Sequence, residues 1–167
     1  ADEPSSPGMP IDSSPAVPGG AFGESSLIKA MDKAGYSNKK ERAMFLAQMS
    51  HESDGFRASE EYASGAAYEG RTDLGNTQTG DGKRFKGRGY IQLTGRSNYK
   101  RYGEMVGHDL ISNPELAKDP NIAADIAVAY WRDRGISSAA QAGDVKGVTR
   151  IINGGYNGLS DRETKYS

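Results

Sequence analysis

The chain has 167 residues, which is enough for one domain with a core but too few for two well-packed domains. Its 21 basic and 22 acidic residues give a formal charge of −1, which argues against general binding to nucleic acid or to a membrane surface. It contains no Cys and only two His, so we expect no disulfide and no metal site built on these residues. No apolar run approaches the ~18 residues that a membrane-spanning helix needs.

Residues 1–26 have the composition of a linker, with five of the seven prolines, six Ser and four Gly. Such a segment stays extended and solvated because it cannot bury a core. We therefore predict a linker over 1–26, a folded domain over 27–167, and a partner domain joined through the linker. Residues 1–28 hold four acids and no base, so the remainder carries 21 basic against 18 acidic residues, a formal +3.

The first part of the domain has the pattern of two helices. Ser25 or Ser26 is positioned to cap a helix over about 27–34. Asn38 is positioned to cap a second helix over about 39–51, which is apolar nearly all round and should therefore be buried.

The rest of the domain combines a long loop region with further helices. Residues 63–90 hold seven glycines and little periodicity, which is typical of a functional loop in a domain of this size. Residues 90–93 resemble a short strand, and Trp131 lies on the expected core face of its helix. Helices are predicted over about 98–105, 121–134, 145–153 and from about 160 onward. The sum is a mainly α domain with a minor β element.

Glu52 is the first candidate for chemistry, because it stands where the buried helix ends. Apolar neighbours and the carbonyl end of a helix both disfavour a carboxylate, so we expect a raised pKa, as a general acid requires. The alternative is a helix-end glutamate that reaches solvent. Glu60 and Glu61 follow eight and nine residues later, and Glu69 is a third acid. An inverting glycosidase needs a second carboxylate about 6.5–9.5 Å from its acid.

Other polar and aromatic residues suit the binding of a sugar. Arg88 stands between two glycines and is able to ion-pair with a catalytic carboxylate or with Glu69. Amide and hydroxyl side chains bind sugar hydroxyls or a water, although the same groups also cap turns and helices. Tyrosines stack on sugars, although most simply pack. The candidates of these two kinds are Gln92, Thr94, Asn98 and Asn153, and Tyr62, Tyr90, Tyr99 and Tyr156.

The order of short motifs resembles glycoside hydrolase family 19, and most nearly the chitinase-like lysins of bacteriophages and bacteria. The motifs are HES, EEY, YEGRTDLGN, GDG, FKGRGYIQLTGRSNY, INGG and a final DR pair, and the resemblance covers roughly 27–167. The resemblance implies a lysozyme-like, two-lobed helical domain with a central cleft. It also implies cleavage of β-1,4 bonds in chitin or peptidoglycan with inversion, and no cofactor.

The resemblance also assigns roles to individual residues. It implies that Glu52 is the general acid and Glu61 the general base, with Glu60 and Glu69 as alternative bases. It further implies that Thr94 helps to hold the nucleophilic water. Three more positions match substrate-binding asparagines and an arginine near the carboxylates, and they are Asn98, Asn153 and Arg162.

The function we expect is peptidoglycan hydrolysis by an inverting two-carboxylate mechanism. The protein would be a phage endolysin, acting from the host cytoplasm on the cell wall, or a virion tail-associated lysin. Its partners would be glycan strands and, through the linker, other tail or hub domains. The alternatives are a chitinase and a non-catalytic cell-wall-binding module.

Overall fold

The computed structural model describes residues 23–57 and 59–167, and most of them lie in helices. The predicted mainly α fold is therefore confirmed. The α-helices of these residues are α1 (Glu24–Ala34), α2 (Lys39–Glu52), α3 (Asp81–Arg84), α4 (Arg96–Val106), α5 (Pro120–Asp133), α6 (Ser137–Gln141), α7 (Val145–Asn153) and α8 (Leu159–Tyr166). Short 3₁₀ helices cover Ala66–Tyr68, Thr72–Leu74 and Pro114–Lys118. Among the residues described, no helix has the length and hydropathy needed to cross a membrane.

The predicted start of the first helix is wrong by a few residues. Helix α1 begins at Glu24, directly after Gly23, and no side chain caps it. Neither Ser25 nor Ser26 is therefore its cap, and the helix begins inside the predicted linker. The part of that linker over 1–22 lies outside the described residues. The cap of α2 is as predicted, since the Asn38 side chain accepts a hydrogen bond from the backbone N–H of Glu41 at 2.9 Å.

The helices after residue 95 follow their local signals closely. The Asp119 carboxylate caps α5, which has Pro120 in its first turn, and the Asp144 carboxylate caps α7. Gly154, with a φ of 82°, ends α7 in the left-handed conformation that glycine adopts easily. Helix α4 begins two residues earlier than predicted and follows Gly95, without a side-chain cap.

The predicted strand over 90–93 is wrong, because the chain turns there. Arg88 and Leu93 exchange backbone hydrogen bonds of 3.1 and 2.8 Å across the turn, and Gln92 has a φ of 52°. Both Tyr90 and Ile91 are buried, whereas a strand would direct them to opposite faces. In the described residues, the minor β element consists of two isolated antiparallel bridges, from Arg88 to Leu93 and from Arg88 to Glu60.

In the core, α2 packs against α6 and α8, and α5 packs against α1 and α4. Trp131 of α5 is 1% exposed and packs edge-on against Phe45 of α2 with ring centroids 5.1 Å apart. Its indole N–H donates to the buried Glu41 carboxylate at 2.9 Å, and Gln141 donates to the same group. The structural role predicted for Trp131 is confirmed, and α2 is fixed firmly enough to position the residue at its end.

Candidate active site

Glu52 is the last residue of α2, and its side chain is only 5% exposed. The Arg162 guanidinium of α8 donates to Glu52 Oε2 at 2.9 Å and is itself 1% exposed. The packing of α8 against α2 thus forms a buried ion pair at the end of the helix. The alternative of a glutamate that reaches into solvent does not apply.

Arg162 connects Glu52 to three other parts of the fold. Its Nη1 donates to Gln48 Oε1 at 2.5 Å, and its Nε donates to the carbonyl oxygen of Asn157 at 3.0 Å. Gln48 in turn donates to Thr149 Oγ1 at 3.2 Å. Each nitrogen of the guanidinium is therefore engaged, and Arg162 holds Glu52 in one position.

Glu61 lies in the segment after α2 and is 5% exposed. The backbone N–H of Gly87 donates to Glu61 Oε1 at 2.6 Å, and the Tyr68 hydroxyl donates to Oε2 at 3.3 Å. Burial raises the pKa of Glu61 above its ordinary 4.5, and the hydrogen bonds from Gly87 and Tyr68 offset this only in part. Glu61 is therefore a stronger base than an exposed glutamate.

Three polar groups converge around the α-carbon of Gly87. A Cβ placed on Gly87 would lie 3.2 Å from Glu61 Oε1, 3.2 Å from Gln92 Oε1 and 3.3 Å from Thr94 Oγ1. The Thr94 hydroxyl donates to the backbone oxygen of Gln92 at 2.8 Å, so its own oxygen can still accept. The structure thus brings the predicted base together with the predicted water-holding hydroxyl.

Glu60 is not suited to be the base, because it belongs to an ion-pair cluster. Its carboxylate lies 3.2 Å from Arg88, 3.4 Å from Lys118 and 3.6 Å from Lys86. Burial acts to raise the pKa of Glu60, but attraction to Lys86, Lys118 and Arg88 together outweighs it and lowers the pKa. Glu60 therefore serves to hold its segment of chain in place, and the choice falls on Glu61.

The side chains of Arg88 and Tyr90 are both buried, which argues against the direct contact with substrate that was predicted for them. Arg88 is 6% exposed on its side chain, pairs with Glu60 and donates to the Tyr99 hydroxyl at 2.9 Å. Tyr90 is 0% exposed, and its hydroxyl donates to the carbonyl oxygen of Gly23 at 2.9 Å. Tyr99 is also 0% exposed, so neither ring has a face for a sugar.

Glu69 holds a loop. Its carboxylate accepts hydrogen bonds of 2.9 Å from the backbone N–H groups of Gly80 and Gly82. These two bonds lower the pKa of Glu69. Arg71, two residues further along, pairs with Asp73 at 2.7 Å. Each oxygen of Glu69 thus accepts one bond that holds the loop, and its roles as alternative base and as sugar ligand stay predictions.

Three of the predicted sugar ligands, Asn98, Asn153 and Tyr62, stay predictions. The Asn98 amide donates to the carbonyl oxygen of Thr94 at 2.9 Å, on the Glu61 side. Asn153 is the last residue of α7, and its Oδ1 accepts from the backbone N–H of Asn157 at 3.4 Å. Tyr62 is half-buried beside Glu61.

Sequence reasoning missed two residues of the site, Gln48, which accepts a hydrogen bond from Arg162, and Tyr68, which donates one to Glu61. Gln48 stands four residues before Glu52 on the same face of α2, a helical spacing that would have indicated it. Tyr68 reaches Glu61 from a 3₁₀ helix inside the glycine-rich region, and no local pattern points to that contact.

A buried carboxylate beside a fixed cation, and a second one beside a hydroxyl that can hold water, are groups of the kind that glycosidases with a pair of acids use. Comparison with known proteins agrees with this class. Residues 24–139 match the family model described as chitinase class I of glycoside hydrolase family 19. A glycosyl hydrolase family 19 domain-containing protein of Haemophilus influenzae is 32% identical over 82% of each chain. The chain therefore belongs to glycoside hydrolase family 19 and is a glycoside hydrolase.

Similar proteins of plants and bacteria extend this finding. The acidic 27 kDa endochitinase of Solanum lycopersicum is 42% identical over 57% of this chain, but the match covers only 37% of the plant protein. The crystal structure of chitinase C from Streptomyces griseus HUT6037 superposes with a TM-score of 0.67 at 25% identity, over 88% of this chain and 82% of that one. The expected lysozyme-like helical fold is thus the fold of the family.

Proposed function

We propose that this family 19 enzyme hydrolyses the β-1,4 glycosidic bonds of peptidoglycan with inversion. Glu52 protonates the glycosidic oxygen, and Glu61 takes a proton from a water that attacks the anomeric carbon from the opposite face. Thr94 helps to hold that water. The observation that carries this proposal is the convergence of Glu61 Oε1 and Thr94 Oγ1 beside Gly87.

The surroundings of each carboxylate fit its proposed step. When Glu52 gives up its proton it becomes an anion, and the Arg162 guanidinium at 2.9 Å stabilises that product of the step. Glu61 must begin the step as an anion, and its raised pKa strengthens it as a base. After the bond breaks, Glu61 holds a proton and Glu52 has lost one, so exchange with solvent restores both.

Peptidoglycan is preferred to chitin on two grounds. The motifs resemble those of the lysins most nearly, and residues 29–167 carry a formal +3 charge, which suits an anionic wall polymer. Chitin is the second candidate, favoured by the endochitinase of Solanum lycopersicum that is 42% identical over part of the chain.

The test is digestion of purified cell walls and, separately, of chitin oligomers, with mass spectrometry of the released fragments. We expect soluble wall fragments with new reducing ends, and proton NMR of the first products should show the inverted anomer. The Glu52→Gln variant should release about 10²–10⁴-fold less. Release from chitin oligomers alone would establish the second candidate, and wall binding without new reducing ends would overturn a hydrolytic role.

We propose a phage lysin as the biological setting, either a soluble endolysin or a component of the virion tail. The first would act from the host cytoplasm on the wall. The second would be joined to tail or hub domains through the Pro/Ser-rich segment over 1–26. Mass spectrometry of purified virions distinguishes the two, because only the tail component remains with the particles.

A further inference from the structure

Helix α7 has an exposed face with two cations. Lys146 and Arg150 stand four residues apart, which places them side by side on one face, and Asn153 continues that face at the end of the helix. Both cations are exposed, and neither forms an ion pair with any residue that the structure describes. Asp144, the acid nearest in sequence, uses its carboxylate to cap α7 through the N–H of Gly147 at 2.9 Å.

Tyr156 lies against these two cations. Arg150 Nη1 donates to the Tyr156 hydroxyl at 3.2 Å, and Lys146 Nζ lies 4.9 Å from the centre of the ring. The residue is nevertheless 43% exposed, which is unusual for a large aromatic in this fold. The set of Lys146, Arg150 and Tyr156, called the Tyr156 cluster below, therefore joins an accessible aromatic ring to two uncompensated positive charges.

The loop that carries Tyr156 is bonded to the Glu52 network. The backbone N–H of Asn157 donates to Asn153 Oδ1 at 3.4 Å, and the carbonyl oxygen of Asn157 accepts from Arg162 at 3.0 Å. Arg162 in turn donates to Glu52. Tyr156 is thus adjacent in sequence to Asn157, whose carbonyl oxygen contacts Arg162. Arg162 is the residue that positions the candidate acid Glu52.

We propose that the Tyr156 cluster is a glycan subsite for a sugar that carries a carboxylate. The ring of that sugar packs on Tyr156, and its carboxylate binds Lys146 and Arg150. This inference rests on the proposed function, since in peptidoglycan every second sugar bears an acidic substituent. The carboxylate belongs either to the lactyl ether of the sugar itself or to the peptide stem attached to it.

Because the Tyr156 cluster is positively charged, it should bind peptidoglycan more tightly than chitin. A neutral N-acetylglucosamine unit uses only the ring of Tyr156 and gains nothing from the two cations. A sugar with a carboxylate uses both, and an exposed charge pair is screened by salt, so the preference should fade as ionic strength rises.

The experiment measures binding and cleavage on three glycans of similar length. One is a peptidoglycan chain with its peptide stems, one is the same chain freed of stems and so bearing lactyl carboxylates, and one is a chitin oligomer. Binding is measured in the Glu52→Gln background, with and without Lys146→Gln and Arg150→Gln together. A matched control, Lys29→Gln with Lys39→Gln, removes the same charge from exposed positions elsewhere.

We expect the double change at 146 and 150 to weaken binding of the carboxylate-bearing glycans about tenfold at low salt and to leave the chitin oligomer unchanged. In the active enzyme it should raise KM and leave kcat almost unaffected. Tyr156→Ala should weaken binding of all three glycans about threefold to tenfold. If only the chain with stems loses affinity, the carboxylate is that of the stem.

Equal binding of the carboxylate-bearing glycans by the 146/150 variant and the matched control would overturn the subsite. That result leaves the proposed function standing if the unaltered enzyme still cleaves walls. Failure of the unaltered enzyme to cleave walls would contradict the proposed function instead. The subsite is thus tested by binding, and the proposed function by cleavage.

Discussion

The surroundings of Glu52 and of Glu61 show two ways in which one fold buries a carboxylate. Both groups are about 5% exposed. Glu52 contacts a full positive charge that Arg162 brings from a helix at the far end of the chain. Glu61 contacts the backbone N–H of Gly87 and the phenol of Tyr68. Equal burial therefore produces two different chemical environments.

The difference matters because the two acids change charge in opposite directions during the proposed reaction. Glu52 becomes an anion, and a fixed cation beside it lowers the energy of that outcome. Glu61 gives up its negative charge when it takes a proton, and its buried site favours the neutral product. Each environment thus stabilises the charge state that its carboxyl group has after the proton transfer, and not the charge state before it.

Replacing the base should produce the largest effect on activity. We expect Glu61→Gln to lower kcat roughly 10²–10⁴-fold, because the amide cannot accept the proton of the attacking water. Glu60→Gln is the matched control, since Glu60 is the adjacent acid but is committed to Arg88 and two lysines. Initial rates of wall or chitin-oligomer cleavage per folded molecule measure both. A larger loss from Glu60→Gln would reverse the assignment.

The pH dependence of the unaltered enzyme follows from the raised pKa of Glu61. The base must be ionised, so activity should fall as pH drops through a value above 4.5. For stability the sign is opposite. The folded chain keeps this proton at pH values where the unfolded chain has lost it, so stability falls as pH rises through that interval. The urea midpoint of the unaltered enzyme should therefore carry a part that decreases as pH rises between pH 4 and 7. That part should be absent from the Glu61→Gln variant.

The sequence was sufficient for features that depend on neighbours along the chain. The Asn38 cap, the Gly154 stop and the burial of α2 all follow from local preferences, and they place Glu52 at the end of a fixed helix. The turn at 89–92 was missed because its last residue, Gln92, has a positive φ, whereas such positions usually hold glycine, as at Gly89.

The rest of the site depends on contacts between distant residues. Arg88 pairs with Glu60 across 28 positions, and nothing local separates this from a pairing with Glu61. The position of Arg162 near a carboxylate was predicted only because the order of motifs resembles a known family. A pattern in sequence indicates which residues are able to pair, and the packing of helices decides which of them do.

Removing the cation should destabilise the fold as well as the site. Arg162→Met leaves the Glu52 carboxylate buried without its partner, at a cost of about 3–5 kcal/mol in the free energy of unfolding. Arg101→Met, which breaks the exposed pair with Asp133, should cost about 0–1 kcal/mol. Urea denaturation at pH 7 compares them. Adding Glu52→Gln to Arg162→Met should recover part of the loss, and similar losses for the two arginines would contradict a buried ion pair.

Adding a methyl group at Gly87 tests whether the attacking water lies beside Glu61. The new Cβ of Gly87→Ala would lie 3.2–3.3 Å from Glu61, Gln92 and Thr94, closer than ordinary contacts, so these groups must shift by a few tenths of an ångström. We expect kcat to fall about tenfold with a small loss of stability. Gly23→Ala, whose Cβ meets nothing within 4 Å, is the control. An unchanged kcat would show that the attacking water lies elsewhere.

The smallest effect should come from the hydroxyl of Tyr68. Burial, followed by the charge of Glu61, raises the pKa of Tyr68 to about 12, so the phenol remains a donor throughout the working range. Its hydrogen bond lowers the pKa of Glu61, and Tyr68→Phe should therefore raise that pKa further. The acid limb of the pH–rate profile should move to higher pH, with a loss of only about threefold at the plateau.

Tyr36→Phe is a suitable control for this change, because it removes a phenol far from the Glu61 carboxylate, beside Arg132. Its profile should match that of the unaltered enzyme. Movement of the acid limb in Tyr68→Phe alone ties the limb to Glu61, since the Tyr68 hydroxyl donates to Glu61 whereas Glu52 accepts from Arg162. A limb that stays in place would mean that another group limits activity at low pH, and the contrast drawn between the two carboxylates would then no longer describe catalysis.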